Sequence, residues 1–384
     1  MNSFFAHLPP SKERKIGLIA KGVKDYFCIE KMANSQDWES LQFWIDQNKG
    51  KYIIAISSYE SSFAELKIEN QKKDLLETPA LIWVVPEEVE LLSEAHSLPA
   101  NNTSLEALFE ATESKKEYLD RLHTIQQHLL RGDIYETNYC MQLQSKAQCE
   151  EPYQHWLYLY QKNPAPHAAY FKWNQFHLMC LSPERFIKKI GSRLISQPIK
   201  GTTARQDDST KNQEAIASLL NNPKERSENT MIVDLVRNDM SKIAQSKSVE
   251  VTELCGIHSF STLHHMISTI ECSTYPNTSL VQIFQALFPM GSMTGVPKKS
   301  AVAITHQLEQ NARGWYSGTC GWIDPEGNFD FNVIIRSIIY DEQERIAKIG
   351  IGSAITLQSN FLSEWDECWL KAQSLLSKKS QHVA

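Results

Sequence analysis

No stretch of this sequence is apolar for long enough to cross a bilayer. The longest apolar runs, such as Ala80-Leu81-Ile82-Trp83-Val84-Val85, have the length of a strand. The first residues, Met1 to His7, lack the charged start and long apolar core of a signal peptide, so a cytoplasmic protein is expected. Basic residues are not in excess: the net charge is −6 and the pI near 6.1, which argues against a general nucleic-acid or membrane-surface binder. The Lys378-Lys379 pair is too short to change that. Neither Gly-x-Gly-x-x-Gly after a strand nor Gly-x-x-x-x-Gly-Lys-Ser/Thr occurs, so a glycine-rich phosphate loop is missing. The eight cysteines (28, 140, 149, 180, 255, 272, 320, 368) are dispersed with no Cys-x-x-Cys pair, as expected for reduced thiols rather than a disulfide frame or a zinc site. None lies in the Gly-x-Cys-x-Gly elbow that suits a glutamine-hydrolysing nucleophile. Repeats and low-complexity segments are absent as well.

What is present suffices for a sizeable core, in one large domain or two modest ones: 384 residues, 42% of them hydrophobic. Residues 10–92 read mainly as short strands and turns, with strands at Ile16–Ala20, Tyr52–Ser58 and Leu81–Val85. Residues 93–104 read as a surface connection. A helix is predicted over Lys115–Arg131, where Tyr118, Leu122, Ile125 and Leu129 mark one face and Gly132 ends it. Strands at Tyr316–Ile323 and Phe329–Tyr340 flank the turn Asp324-Pro325-Glu326-Gly327-Asn328. Elements mix without a strict βαβ rhythm, which predicts an α+β fold of layered antiparallel sheets with packed helices. Two parts are expected: an N-terminal region of residues 1–110 and a catalytic region of residues 115–377.

Chemistry concentrates at a few positions. Lys200, in Gln197-Pro198-Ile199-Lys200-Gly201-Thr202, looks like a lysine at the end of a strand entering a tight turn, where Gly201 permits close approach of a ligand. Such a lysine is usually a solvated turn residue, but it can also be a point charge for a carboxylate, or a nucleophile if burial keeps it neutral. Glu225 and Glu228 follow Asn222-Pro223, a good helix start, and their i, i+3 spacing puts both carboxylates on one face. Glu364 and Glu367 form a second such pair, with Ser363 and Asp366 resembling a capping box. Acids in first helical turns ordinarily offset the macrodipole. Two pairs facing each other would instead suit Mg²⁺, which prefers hard carboxylate oxygens. His264 and His265 point to opposite faces if on a strand, so one is structural or exposed and the other free to bond a ligand. Arg336, inside the apolar run Val333–Ile339, needs an anion, either a partner carboxylate or a substrate's.

These residues fall in ordered blocks that resemble the chorismate-utilising enzymes, the family of anthranilate, aminodeoxychorismate, isochorismate and salicylate synthases. The blocks are Ser182-Pro183-Glu184-Arg185-Phe186, Pro198-Ile199-Lys200-Gly201-Thr202, Glu228 through Asp239, Phe288-Pro289 through Lys298, Gly314-Trp315-Tyr316-Ser317-Gly318, and the Glu364/Glu367 helix. The resemblance covers about residues 115–377; the first hundred residues match loosely, near Ser57-Ser58-Tyr59-Glu60. It implies an anthranilate synthase large subunit-like fold. It also implies Mg²⁺ on Glu228 and Glu367, with Glu225 and Glu364 acting one layer out or through water. His265 would lie by the ring of chorismate and its C4 hydroxyl, Arg336 and Tyr316 would hold the enolpyruvyl carboxylate, and Thr294 and amides near Gly352 would line the pocket. Glu184 would be the acid/base at the C4 hydroxyl, a poor leaving group unless protonated.

Within the family, members resembling anthranilate and isochorismate synthases usually carry alanine at the position of Lys200, and aminodeoxychorismate-forming members carry lysine. The resemblance therefore implies amination of chorismate at C4 through a covalent lysine intermediate. This requires a neutral amine, which burial favours and nearby carboxylates oppose. Isochorismate and salicylate synthases have a water-activating lysine in the stretch matching Gly132-Asp133-Ile134-Tyr135-Glu136-Thr137-Asn138; here Glu136 stands in its place. Amine-using relatives usually carry glutamine there, so Glu136 is a departure, as are Met290, Met293, Ala354 and Phe361. Without a glutaminase nucleophile, the chain is expected to take ammonia from a separate glutamine amidotransferase subunit or from solution. No lyase step to remove pyruvate is indicated, so the expected product is 4-amino-4-deoxychorismate, a precursor of p-aminobenzoate and folate. The competing readings are amination at C2, as in the anthranilate synthase large subunit, and a non-catalytic chorismate-binding protein. A Schiff-base lyase would leave the acid pairs without a purpose.

Overall fold

The computed structural model describes residues 2–31, 34–93, 105–260 and 263–376. Most of the expected 93–104 connection and the Lys378-Lys379 pair lie outside them. Among the described residues the strands form two antiparallel sheets, of eleven and ten strands, with helices packed on them. The α+β expectation therefore holds. The larger sheet runs in the order Gly295–Val296, Glu136–Gln148, Ile346–Ile355, Ser337–Asp341, Phe176–Cys180, Ala169–Trp173, Phe4–Leu8, Gly17–Lys21 and Glu88–Leu92. The smaller one runs Ile199–Ala204, Leu263–Ser273, Arg193–Gln197, Arg185–Ile190, Phe329–Asn332, Thr319–Ile323, Ile53–Ser57, Leu81–Val85 and Asp25–Ile29. Early strands thus pair with late ones: Phe4–Leu8 lies against Ala169–Trp173, and Ile53–Ser57 against Thr319–Ile323.

One hydrophobic cluster joins the two sheets, with Ala6, Phe171 and Leu178 from the larger and Ile54, Ile56 and Phe331 from the smaller. A second cluster forms where helices Lys115–Arg131, Pro152–Lys162 and Phe361–Gln373 cover the larger sheet through Tyr118, Leu122, Trp156 and Trp369. The first of these helices has the predicted bounds: Ser114 and Glu117 form a capping box, and Gly132 ends it at φ 77°. The periodicity that announces it is the face that buries.

Three local expectations are corrected. Residues 10–92 hold a helix, Ser35–Gln47, capped by Asn34 and Asp37 and burying Trp38, Leu41 and Ile45. Exposed Phe43 and half-buried Trp44 set further apolar residues beside that face, which masks the period. The helix bearing Glu364 starts at Phe361 under an Asn360 cap, so Ser363 sits inside the first turn and not at its head. The run Phe329–Tyr340 is broken: Phe329–Asn332 belongs to the smaller sheet and Ser337–Asp341 to the larger. The chain crosses between sheets at residues 333–336, and Arg336 takes φ 51° at that crossing. The hairpin turn before it, at Asp324–Asn328, is as expected.

A buried ion pair fixes the frame of the site. The Arg313 guanidinium, 1% exposed, donates to both oxygens of Glu309 at 3.0 and 2.6 Å, to the Met293 carbonyl at 2.8 Å and to the Asn138 carbonyl at 2.9 Å. Because the donors not taken by Glu309 reach carbonyls on two other segments, this group ties the strand after Glu136 to the loop before Thr294. Glu309→Ala leaves the arginine charge buried and unpaired, and is expected to cost about 3–5 kcal/mol of stability. Urea unfolding measures it; an unchanged midpoint would contradict this role.

Candidate active site

Lys200 lies within the strand Ile199–Ala204, not at the head of a turn. The pairing of this strand with Leu263–Ser273 jumps from Ile199↔Ile267 to Thr202↔His265, so Lys200 and Gly201 form a bulge. Gly201 has φ +83°, and a Cβ there would meet Glu225 Oε2 and Leu219 at 3.0 Å. Only glycine fits, and the bulge turns Lys200 inward, where it is 9% exposed. Its Nζ donates to Glu136 Oε1 at 2.5 Å. Burial by itself would lower the pKa of this ammonium, but Glu136, Glu228 and Glu184 outweigh it and hold it above the ordinary value. In this state Lys200 is therefore a charged, paired ammonium and not the neutral amine that the covalent route requires.

Glu184 is 4% exposed at the entry to the strand Arg185–Ile190. Burial raises its pKa to about 7, against the pull of Lys200. It is therefore half protonated near neutrality, the condition a general acid needs. Beside it Arg185 forms a two-pronged pair with Asp330 at 3.0 and 3.1 Å, which anchors the strand that carries it.

The two acid pairs do meet. Asn222 caps the helix Pro223–Ser241 and Pro223 starts it, as predicted, and this helix packs against the strand bearing Lys200. Lys224 reaches from it to Glu228 Oε1 at 3.7 Å and to Glu364 Oε1 at 3.3 Å, bridging the two helices. Burial raises Glu228 to about 7, with Lys200 opposing, and raises Glu225 against the pull of Lys224. Glu367 is half-exposed and pairs with Lys371 at 2.7 Å. Burial would raise its pKa, but Lys371 more than reverses this and holds it below the ordinary value. Among the described residues no three carboxylate, thiolate or imidazole groups already stand together as a metal cage. The donor chemistry nonetheless fits a hard cation: among the described residues Glu228 Oε1 is buried with no hydrogen-bond partner, Glu136 and Glu225 are its acidic neighbours, and Glu364 and Glu367 act on Glu225 from the other helix. Sequence reasoning missed Lys224 and Lys371, although both stand four residues after or before a glutamate on a helix, a spacing that pairs charges.

The histidines separate as expected, though both are buried. His264 is held between Ser259 and Asn212, each at 2.8 Å, a structural role. His265 meets the Thr202 hydroxyl at 2.8 Å. Burial, with Arg336 and His264 adding, lowers its pKa to about 4, so it is neutral at pH 7. Arg336 donates to the Lys371 carbonyl at 3.1 Å, and among the described residues no carboxylate pairs with it. Burial lowers its pKa, with Tyr316 and Glu367 opposing. Lys371 in turn donates to the Gly352 carbonyl at 2.8 Å, and Gly352 has no room for a Cβ against Tyr139 and Cys140. Tyr316 is 4% exposed, its ring lying where a side chain at Gly350 would be. Thr294 turns its hydroxyl back to the Met290 and Gly291 carbonyls at 3.3 and 3.1 Å, so it shapes the loop that carries Ser292.

The site is thus a buried ammonium and a half-protonated carboxyl beside an acidic cluster, with an arginine that no carboxylate pairs among the described residues. Comparison with known proteins gives the same direction. The profile of the family described as chorismate binding enzyme matches residues 23–377. The aminodeoxychorismate synthase of Arabidopsis thaliana chloroplasts is 33% identical over 326 residues, 84% of this chain and 35% of that protein. Aminodeoxychorismate synthase component 1 of Escherichia coli is 32% identical over 280 residues, 73% of this chain and 61% of that one. The chain thus spans about a third of the plant relative's length and under two thirds of the bacterial one's. In fold, the solved structure of anthranilate synthase component I from Streptococcus pneumoniae superposes with a TM-score of 0.82 at 20% identity, covering 95% of this chain and 93% of that one. With a match over nearly the whole described chain, this protein belongs to the chorismate binding enzyme family.

Proposed function

We propose that this protein aminates chorismate at C4, with ammonia, to give 4-amino-4-deoxychorismate, and that Lys200 is the transient nucleophile. The observation that carries this reading is the bulge: it places a buried primary amine between Glu136 and the acidic cluster, within the electrostatic reach of Glu184. A lysine with only a structural task would not need a glycine bulge to turn it into a carboxylate-lined interior. The names of the curated relatives support amination at C4; the solved structures speak for the fold alone.

In this reading Arg336 and Tyr316 bind the enolpyruvyl carboxylate, which supplies the anion that Arg336 lacks among the described residues. Thr294 and Gly352 shape the walls, and neutral His265 lies by the ring. Glu228 and Glu367 would hold Mg²⁺, with Glu225 and Glu364 supporting them. The metal, when bound, supplies positive charge to the ring carboxylate and balances charge as the ring is activated. Glu184 donates a proton to the departing C4 hydroxyl as the Lys200 amine bonds at C2. Ammonia then attacks C4 and the bond to Lys200 breaks. Splitting one hard substitution into two displacements is what covalent catalysis achieves. Ammonia would come from a separate glutamine amidotransferase, an arrangement in line with the name component 1 of the E. coli relative. No pyruvate is released.

Chorismate and Mg²⁺ supplied without ammonia should stall the enzyme on the intermediate. Rapid quenching, proteolysis and mass spectrometry should then find the dehydrated substrate on the peptide containing Lys200. An unmodified peptide under single-turnover conditions, with chorismate consumed once ammonium is added, would contradict the covalent route.

A further inference from the structure

We infer that Glu136 is the proton acceptor for Lys200: it takes the ammonium's proton before the amine bonds to substrate and holds it until the amine is released. This rests on the proposed covalent role of Lys200 and adds a residue to it. Three observations on geometry carry it. Glu136 Oε1 is 2.5 Å from Lys200 Nζ, the one side-chain hydrogen bond the ammonium makes among the described residues. Glu136 is 0% exposed, so solvent does not compete for that proton. Its other oxygen, Oε2, is buried with no hydrogen-bond partner among the described residues and offers a lone pair.

The backbone holds Glu136 in place. Val296 and Gly295 pair with Glu136 and Thr137, and a Cβ on Gly295 would fall 2.2 Å from the Glu136 carbonyl. The flanking Tyr135 amide donates to Val296 at 2.7 Å. A carboxylate fixed at both ends of its residue presents one geometry to the amine, which favours proton transfer over mere charge balance. The other charged groups facing Lys200 are Glu228, Glu184, Glu225 and Glu367. Glu184 is committed to the leaving hydroxyl and the rest belong to the acidic cluster, so Glu136 alone is free to take the proton.

The proton count closes. Lys200 ammonium gives one proton to Glu136, leaving a neutral amine and a carboxylic acid. The amine's lone pair forms the N–C2 bond as the C4–O bond breaks, and the hydroxyl leaves as water with a proton from Glu184. The bound nitrogen is then a secondary ammonium. When ammonia attacks C4, the C2–N electron pair returns to that nitrogen and Lys200 departs as a neutral amine. Glu184 recovers a proton from the new C4 ammonium, and Glu136 returns its own to Lys200. Chorismate and ammonia give the aminated product and water, with both carboxyl groups restored.

The test compares Glu136→Gln and Glu136→Asp with the wild type at saturating ammonium. With glutamine, Lys200 must lose its proton to solvent, so kcat at pH 7 should fall about 100-fold. The ratio of variant to wild-type kcat should then rise roughly tenfold per pH unit towards the alkaline side, a ratio in which the Glu184 limb cancels. Aspartate, which can still accept a proton, should regain at least ten of those hundredfold. Independently of turnover, Lys200 in the Gln variant should be acylated by a small anhydride at lower pH than in the wild type, read by peptide mass spectrometry. A Gln variant with wild-type kcat, a pH-independent ratio, an Asp variant no better than Gln, or an unchanged acylation profile would each overturn the proposal. Failure of the functional reading looks different: wild-type protein would then form another product, or Lys200→Ala would remain active, while the acylation shift would persist.

Discussion

Lys200→Ala is expected to lower the rate of 4-amino-4-deoxychorismate formation on the order of a thousandfold or more, because it removes the nucleophile itself. Fold and chemistry must be separated here. Glu136 is fully buried, and deleting its partner leaves a carboxylate unpaired at a cost of about 3–5 kcal/mol. The double variant Lys200→Ala with Glu136→Gln removes both charges and should recover much of that stability while staying inactive. Chorismate binding in the presence of Mg²⁺, followed by calorimetry, should survive in the double variant, since Arg336 and the acidic cluster are untouched. Turnover within a few-fold of wild type in either variant would remove Lys200 from the mechanism.

Glu184→Gln should lower kcat by about 10²–10⁴-fold, the usual worth of a positioned general acid. The pH dependence gives a sharper sign. An acid must be protonated to act, and burial raises Glu184 to about 7. At saturating Mg²⁺, which keeps Glu228 ionised, wild-type kcat/KM should therefore be level below that pH and fall about tenfold per unit above it. The Gln variant, with nothing to titrate there, should show a low rate without this limb. A Gln variant that kept the wild-type limb would assign the proton to another group.

The layered antiparallel fold and the helix over Lys115–Arg131 were legible because one face of that helix is apolar at every turn and a glycine ends it. The helix Ser35–Gln47 was not: its buried Trp38, Leu41 and Ile45 keep helical spacing, but the exposed Phe43 and half-buried Trp44 beside them blur the apolar stripe. In the site, the helix start at Asn222-Pro223 was readable from local chemistry, and the meeting of its acids with Glu364 was not, because the bridging Lys224 and Glu364 lie 140 residues apart in sequence. Lys200 shows the same limit. A lysine before glycine looks like a turn, and only the register of a distant strand reveals a bulge that faces inward. Arg336 reads in the sequence as an arginine in need of an anion, but its place at the crossing between sheets depends on two strands belonging to different sheets. Glu136 stood out in the sequence only as a departure; its distance to Lys200 gives it a task.

The product formed from chorismate, Mg²⁺ and ammonium chloride tests the central claim most directly. Liquid chromatography with mass detection should show 4-amino-4-deoxychorismate with no pyruvate released. Anthranilate appearing with an equivalent of pyruvate would contradict it.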